Sequence, residues 1–139
     1  MRGLAALRGE DADGRVLYRG DEVGRRVFSE STAFLMASML SDVVNHGTGY
    51  GARQAGFSLP AGGKTGSTDD HADAWFIGFV PGMVAGVWVG NDNFTTTQRV
   101  TGGSLPTQIW HRYMEVALRN VPVRELDMPR AEDYSTGIA

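Results

Sequence analysis

The sequence contains a single lysine, Lys64, within the run Gly62-Gly63-Lys64-Thr65-Gly66-Ser67-Thr68. A lone ammonium among glycines and hydroxyls suits two kinds of chemistry. At the mouth of a glycine loop that opens a helix it binds phosphate. Held out from an extended strand, it attracts a carboxylate and favours proton removal from a neighbouring nucleophile. The phosphate loop requires glycine five residues before the Gly-Lys pair and a helix from the lysine onward. Here that position is Ser58, Pro60 removes a backbone donor, and Gly66 leads into Asp69-Asp70-His71-Ala72-Asp73, which does not open a helix. The strand reading therefore fits better, and its plain alternative is a solvated lysine on an edge strand with glycines marking a turn.

Other residues that could carry chemistry have ordinary explanations. His46, His71 and His111 show no ligand spacing and read as a helix-end, a loop and a helix-surface histidine. Asp69, Asp70 and Asp73 could pair as carboxylates for metal or acid work, but a charged loop between strands accounts for them. Trp75, Trp88 and Trp110 read as core and hairpin packing rather than a ligand cage. The glycines after His46 follow no strand, which argues against a dinucleotide site.

The elements that must position Lys64 follow from periodicity. Leu4–Leu7 and Arg15–Tyr18 read as short strands joined by Asp11-Ala12-Asp13-Gly14. Ser29 and Ser31 offer N-caps for a helix in which Ala33, Phe34, Ala37, Leu40, Val43 and Val44 recur at helical spacing. Leu35, Met36 and Met39 widen that stripe, so the helix is predicted to be largely buried, with Gly47 just past its end. Three strands are predicted next, Gly63–Ser67, Ala74–Val80 and Met83–Val89, the last two forming a hairpin at Pro81-Gly82. Both faces of these strands are apolar, which predicts helices on each side. Ser104 as N-cap and Pro106 in the first turn open a helix with Ile109, Trp110, Tyr113, Met114 and Ala117 on its apolar face.

The bulk numbers bound the rest. A chain of 139 residues with 42% hydrophobic and 21% charged residues is an ordinary single globular domain. The net charge of −3 without clustered arginine argues against nucleic acid. The absence of cysteine removes disulfides and thiolate zinc sites but is silent on compartment. No window approaches the roughly 20 apolar residues of a membrane span, and the first residues lack a signal-peptide core.

At this point a resemblance emerges that extends well beyond a tripeptide. STAFLMASMLSDVVNHGTGYGARQAG, then AGGKTGSTDDHADAWFIGFVPGMVAGVWVGND, then TGGSLPTQIWHRYM resemble the C-terminal portion of the transpeptidase domain of class A penicillin-binding proteins. RVLYRGDEVGRRVFS resembles the segment that precedes the first of these, so the likeness covers about residues 10 to 118. It departs chiefly at Ser67, where the family usually has Thr, and at Asp69, where Thr or Asn is common.

The resemblance implies an α+β fold, an antiparallel β-sheet flanked by helices that forms part of a serine β-lactamase/transpeptidase-like domain. That portion is expected over residues 1–118, with 119–139 an extended or disordered tail. It implies a catalytic role for Lys64 and substrate binding by Thr65, Gly66, Ser67 and Thr68, without metal or cofactor. The implied partner of the intact protein is a peptidoglycan stem peptide or a β-lactam, in an extracytoplasmic, membrane-anchored setting whose anchor lies outside this sequence.

The family's nucleophile motif Ser-x-x-Lys is not present, because Ala61 stands three positions before the only lysine, and no Ser-x-Asn occurs. The chain alone is therefore expected to be inactive, supplying one wall of a cleft. Surface shared with the remainder of such a domain is expected to be apolar and to drive homo-oligomer formation. The readings set against this one are a non-catalytic peptide-binding module, a related serine β-lactamase or carboxypeptidase, and a P-loop nucleotide binder.

Overall fold

Turn chemistry at the start of the chain and glycine placement at its centre set the architecture. A computed structural model of the chain describes residues 8–19 and 26–126. The described residues divide into two units, one up to residue 33 and the other from residue 34 onward.

In the first unit β1 (Arg8–Glu10) and β2 (Val16–Arg19) pair antiparallel. The Asp11 carboxylate closes their turn by accepting the backbone N–H groups of Asp13 at 3.1 Å and Arg15 at 2.9 Å. The hairpin predicted from the sequence is present, but its first strand is Arg8–Glu10; the predicted Leu4–Leu7 lies outside the described residues. Ser29 caps helix α1 (Glu30–Asn45) by accepting the N–H of Thr32 at 3.1 Å, three residues on.

The second unit holds a three-stranded antiparallel sheet of β3 (Gly62–Ser67), β4 (Asp73–Val80) and β5 (Met83–Gly90) in that spatial order. Gly82, with φ +89°, makes the β4–β5 turn in a conformation that side chains disfavour. Alternate β4 residues, Ala74, Phe76, Gly78 and Val80, face helix α3 (Leu105–Ala117) and are buried. Trp110 of α3 meets Phe57 edge to face at 4.9 Å between ring centroids, and the whole indole is buried. β4 carries glycine at position 78 because a Cβ there would lie 2.6 Å from the Trp110 ring. Val44, the short helix α2 (Gly51–Gln54) through Ala52, Ala61, Met114 and Leu118 complete this core. Each large side chain buried there contributes about 1.5–3 kcal/mol by removal from water.

Five expectations need correction. The opposite face of the sheet is covered at one end only, where the backbone of Leu40 in α1 approaches Gly62. Trp75, Ile77, Val84 and Trp88 on that face remain 45%, 50%, 63% and 41% exposed, since no described element crosses them. Helix α1 is not largely buried: it packs through Val44 near its C-terminal end, and Leu35, Met36 and Met39 stay exposed for the same reason.

The buried stripe of α3 is also rotated from the predicted one. It runs through Pro106, Thr107, Trp110, His111 and Met114, while Ile109 and Tyr113 face outward. His111 is thus a core residue lying over Phe57 rather than a surface one, because the loop after α2 folds across it. Ser104 does not cap α3 with its side chain; its hydroxyl turns back to the N–H and carbonyl of Thr101 and closes a turn of its own.

Candidate functional site

Lys64 occupies the third position of the six-residue strand β3, paired with Ile77 of β4. This excludes the phosphate-loop geometry, in which the lysine would open a helix. β3 ends the strand order, so no described strand pairs with its outer side. An edge of this kind presents backbone donors and acceptors to an extended ligand.

Strand alternation divides the candidate residues between the two faces of the sheet. Lys64 and Gly66 lie across from Ile77 and Trp75, on the open face. Thr65 and Ser67 lie across from Phe76 and Ala74, on the face that carries the core. The Lys64 ammonium is exposed and donates to the carbonyl oxygen of Thr65 at 2.7 Å, which folds the long side chain back along the strand edge.

The two hydroxyls of β3 are already engaged. Thr65 Oγ1 lies 2.6 Å from Thr48 Oγ1, in the loop between α1 and α2. Ser67 Oγ accepts the backbone N–H of Gly102 at 2.9 Å. Gly102 can sit so close because it has no side chain: a Cβ would run into the Trp75 carbonyl and lie 2.7 Å from that of Gly66.

Thr68 stands apart from the other four. Just beyond β3, its N–H donates to the Asp73 carbonyl at 3.0 Å, and its hydroxyl accepts the N–H of Asp73 at 2.9 Å. The neighbouring acids serve the same turn. Asp70 accepts the N–H of Ala72 at 3.2 Å, and this bond, with a smaller contribution from the Thr68 hydroxyl, holds the Asp70 carboxyl below its ordinary pKa. Asp73 accepts the Trp88 indole N–H at 2.8 Å, and Trp88 faces Trp75 across the strands at 6.4 Å between centroids. Asp70 therefore serves the β3–β4 turn and Asp73 the start of β4, and among the described residues no cluster of three metal-ligating side chains forms.

Thr48 and Gly102 were not among the candidates read from the sequence. The signal available was their setting, a threonine between Gly47 and Gly49 and a Gly102-Gly103 doublet, since paired glycines mark close backbone approach.

Residues 18–115 match a family described as the penicillin binding protein transpeptidase domain. The chain belongs to this family. Among its relatives, Penicillin-binding protein 1A of Pseudomonas aeruginosa is 41% identical over 105 residues, which cover 75% of this chain and 13% of the relative. Penicillin-binding protein 1A of Neisseria meningitidis serogroup A is 35% identical over 134 residues, covering 91% of this chain and 16% of the relative. The fold superposes on the crystal structure of Penicillin-Binding Protein 1A from Haemophilus influenzae with a TM-score of 0.65 and 25% identity, over 86% of this chain and 24% of that one. The chain thus spans less than a quarter of the length of these penicillin-binding proteins. Its α+β architecture, an antiparallel sheet with helices packed on it, is that of the transpeptidase-like fold.

Proposed function

We propose that the chain provides the lysine wall of a peptidoglycan D,D-transpeptidase, the enzyme class in which a serine attacks a D-alanyl-D-alanine stem peptide and passes the acyl group to an amine. The observation that carries this reading is the position of Lys64 on a solvent-facing edge strand, followed directly by Thr65, Gly66 and Ser67. Lys64 is the catalytic group, its ammonium favouring the alkoxide of a nearby serine and drawing in the substrate carboxylate. Thr65 and Ser67 bind that carboxylate, and the N–H of Ser67 serves the oxyanion, where one aligned donor lowers the barrier by about 3 to 4 kcal/mol. Gly66 lets the ligand backbone close on the strand, and Thr68 supports the site by holding the β3–β4 turn.

The serine comes from a Ser-x-x-Lys motif that these 139 residues do not contain, so this stretch alone forms no acyl-enzyme. A stem peptide or a β-lactam is the partner of the intact protein, in an extracytoplasmic, membrane-anchored setting. No described helix is itself long and apolar enough to cross a membrane. The exposed Trp75, Ile77, Val84 and Trp88 supply an apolar patch through which copies of the chain associate.

Two measurements test the reading. A fluorescent penicillin is expected to leave the chain unlabelled, and a covalent adduct on it would show that a nucleophile is present after all. Reversible binding of N-acetyl-D-alanyl-D-alanine is expected to weaken in Lys64→Ala; equal binding by both proteins would remove Lys64 from the site. Retained binding without acylation is also what a non-catalytic peptide-binding module would show. Joining the chain to a segment that carries Ser-x-x-Lys separates the two, because only the transpeptidase reading gains penicillin labelling.

A further inference from the structure

Helix α3 carries a histidine whose polar atoms the packing leaves unexplained. His111 is 6% exposed, and its imidazole stands edge-on to Phe57 at 5.9 Å between centroids, which fixes the plane of the ring. Its Nε2 is buried without a hydrogen-bond partner, an uncommon state for a polar atom in a folded protein. One turn further along the helix, Glu115 Oε1 lies 3.3 Å from this nitrogen. That is longer than the usual hydrogen bond of about 2.7–3.2 Å, and the two groups are not aligned for one.

The same separation suits two ligands of one ion. Tetrahedral zinc holds an imidazole nitrogen at about 2.0–2.1 Å and a carboxylate oxygen at about 2.0–2.2 Å, which sets the donors about 3.3–3.5 Å apart. Space for the remaining coordination positions lies alongside. The loop facing the ring comes near it at Gly56, where a Cβ would stand 3.7 Å from Cε1 and 4.0 Å from Nε2. Beside that glycine, Ser58, His111, Met114, Glu115 and Arg119 help to line a cavity of about 210 Å³, wide enough for water. Arg119 is the one arginine or lysine on this lining, and it is exposed, so water and salt screen its repulsion of a cation.

A second pair provides the contrast. His46 and Asp42 of α1 also stand four residues apart, at 3.6 Å, but their side chains are 80% and 73% exposed. Ordering them around an ion costs rotamer freedom that the buried His111 has already given up.

We infer that His111 Nε2 and Glu115 Oε1 form a two-residue site for a divalent transition metal of the zinc class, completed by water. The inference is independent of the role proposed for β3.

The test is a zinc chloride titration of the 139-residue chain, followed by calorimetry and by the imidazole nitrogen resonances of its three histidines. Saturable binding is expected, with a shift of His111 Nε2 that EDTA reverses. Magnesium chloride is expected to leave that resonance in place, because magnesium takes oxygen ligands and keeps its waters. The Glu115 side chain is 61% exposed, so Glu115→Gln is expected to fold normally. It is expected to weaken zinc binding by at least about tenfold, since losing a group that merely orients a metal ligand already costs about 10–100-fold. His46→Gln is expected to bind zinc as the unsubstituted chain does.

The inference is overturned if millimolar zinc leaves His111 Nε2 unshifted, a result that needs no variant. It is overturned equally if Glu115→Gln binds zinc as tightly as the unsubstituted chain, or if His46→Gln is the variant that loses binding. Equal shifts of all three histidines would show adventitious surface binding and would also remove the site.

Discussion

Trp110 of α3 stands edge-on to Phe76 of β4, with ring centroids 5.3 Å apart and planes at 85°. Both side chains are fully buried, so this contact joins the helix to the central strand. Replacing Trp110 with alanine is expected to cost about 3–5 kcal/mol, through lost transfer energy and the cavity left behind. Urea denaturation checks this; a loss under 1 kcal/mol would mean that the sheet and α3 do not share the core described.

Gly78→Ala tests the same contact from the other side. The added Cβ would lie 2.6 Å from the indole and 2.8 Å from the Phe76 ring, so the helix must shift. Overpacking of this kind is expected to destabilise by about 1–3 kcal/mol. The double variant Trp110→Phe with Gly78→Ala should recover part of that loss, and strict additivity would argue against the overlap.

Arg53 ties the loop after α2 to its surroundings. Its guanidinium donates to the carbonyls of Phe57 at 2.7 Å and Leu59 at 2.8 Å, and to the Asn45 side chain at 2.9 Å. Partial burial lowers its pKa, but an arginine so far above neutrality stays charged at any usable pH. Arg53→Met keeps much of the bulk and strands the two carbonyls, at an expected cost of about 1–3 kcal/mol. That penalty should not vary between pH 5 and 9, and a clear dependence on pH would assign it to another group.

The turn beside the candidate site should respond to acid. The Asp70 carboxyl has a lowered pKa because its charged form accepts the Ala72 N–H first and the Thr68 hydroxyl second. A depressed carboxyl stabilises the fold above its unfolded-state pKa of about 3.9 and loses that contribution as pH falls through the lower folded-state value. Melting temperatures of the native chain and Asp70→Asn should therefore differ at pH 6 and converge below that range. A gap that widens on acidification would reverse the sign and refute the assignment.

The open face of the sheet makes a prediction about association. Ile77→Lys and Val84→Lys each place a charge among exposed apolar side chains without touching the core. Sedimentation should show that the native chain associates and that the double variant is monomeric. A native chain that is already monomeric at high concentration would contradict association through this patch.

Much of the site was legible because it is local. The β4–β5 hairpin follows from Pro81-Gly82 between apolar runs, and β3 from the failure of Lys64 to satisfy any helix-opening pattern. The strands begin or end only one residue away from the predicted limits, within ordinary fraying. What the linear pattern could not show depends on distant contacts. Thr48 reaches Thr65 across 17 positions and Gly102 reaches Ser67 across 35, so the glycines around them mark close backbone approach but not which strand is approached.

The burial of His111 was hidden for a similar reason. Apolarity alone favours a stripe through Ile109 and Tyr113, whereas Phe57, brought in by the preceding loop, selects the neighbouring stripe. The exposure of Leu35, Met36 and Met39 shows the converse limit: an apolar stripe announces a preference for burial, and only the presence of a partner element fulfils it.

β5 closes the sheet on the side away from Lys64 with eight residues, MVAGVWVG, that include neither a charge nor a proline. Natural sheets guard such margins with lysine, proline or a bulge, because an unguarded margin templates further strands of its own kind. Anyone concentrating this polypeptide should thus expect slow fibril or precipitate formation seeded along residues 83–90, and a single lysine at Gly86 would be the economical gatekeeper against it.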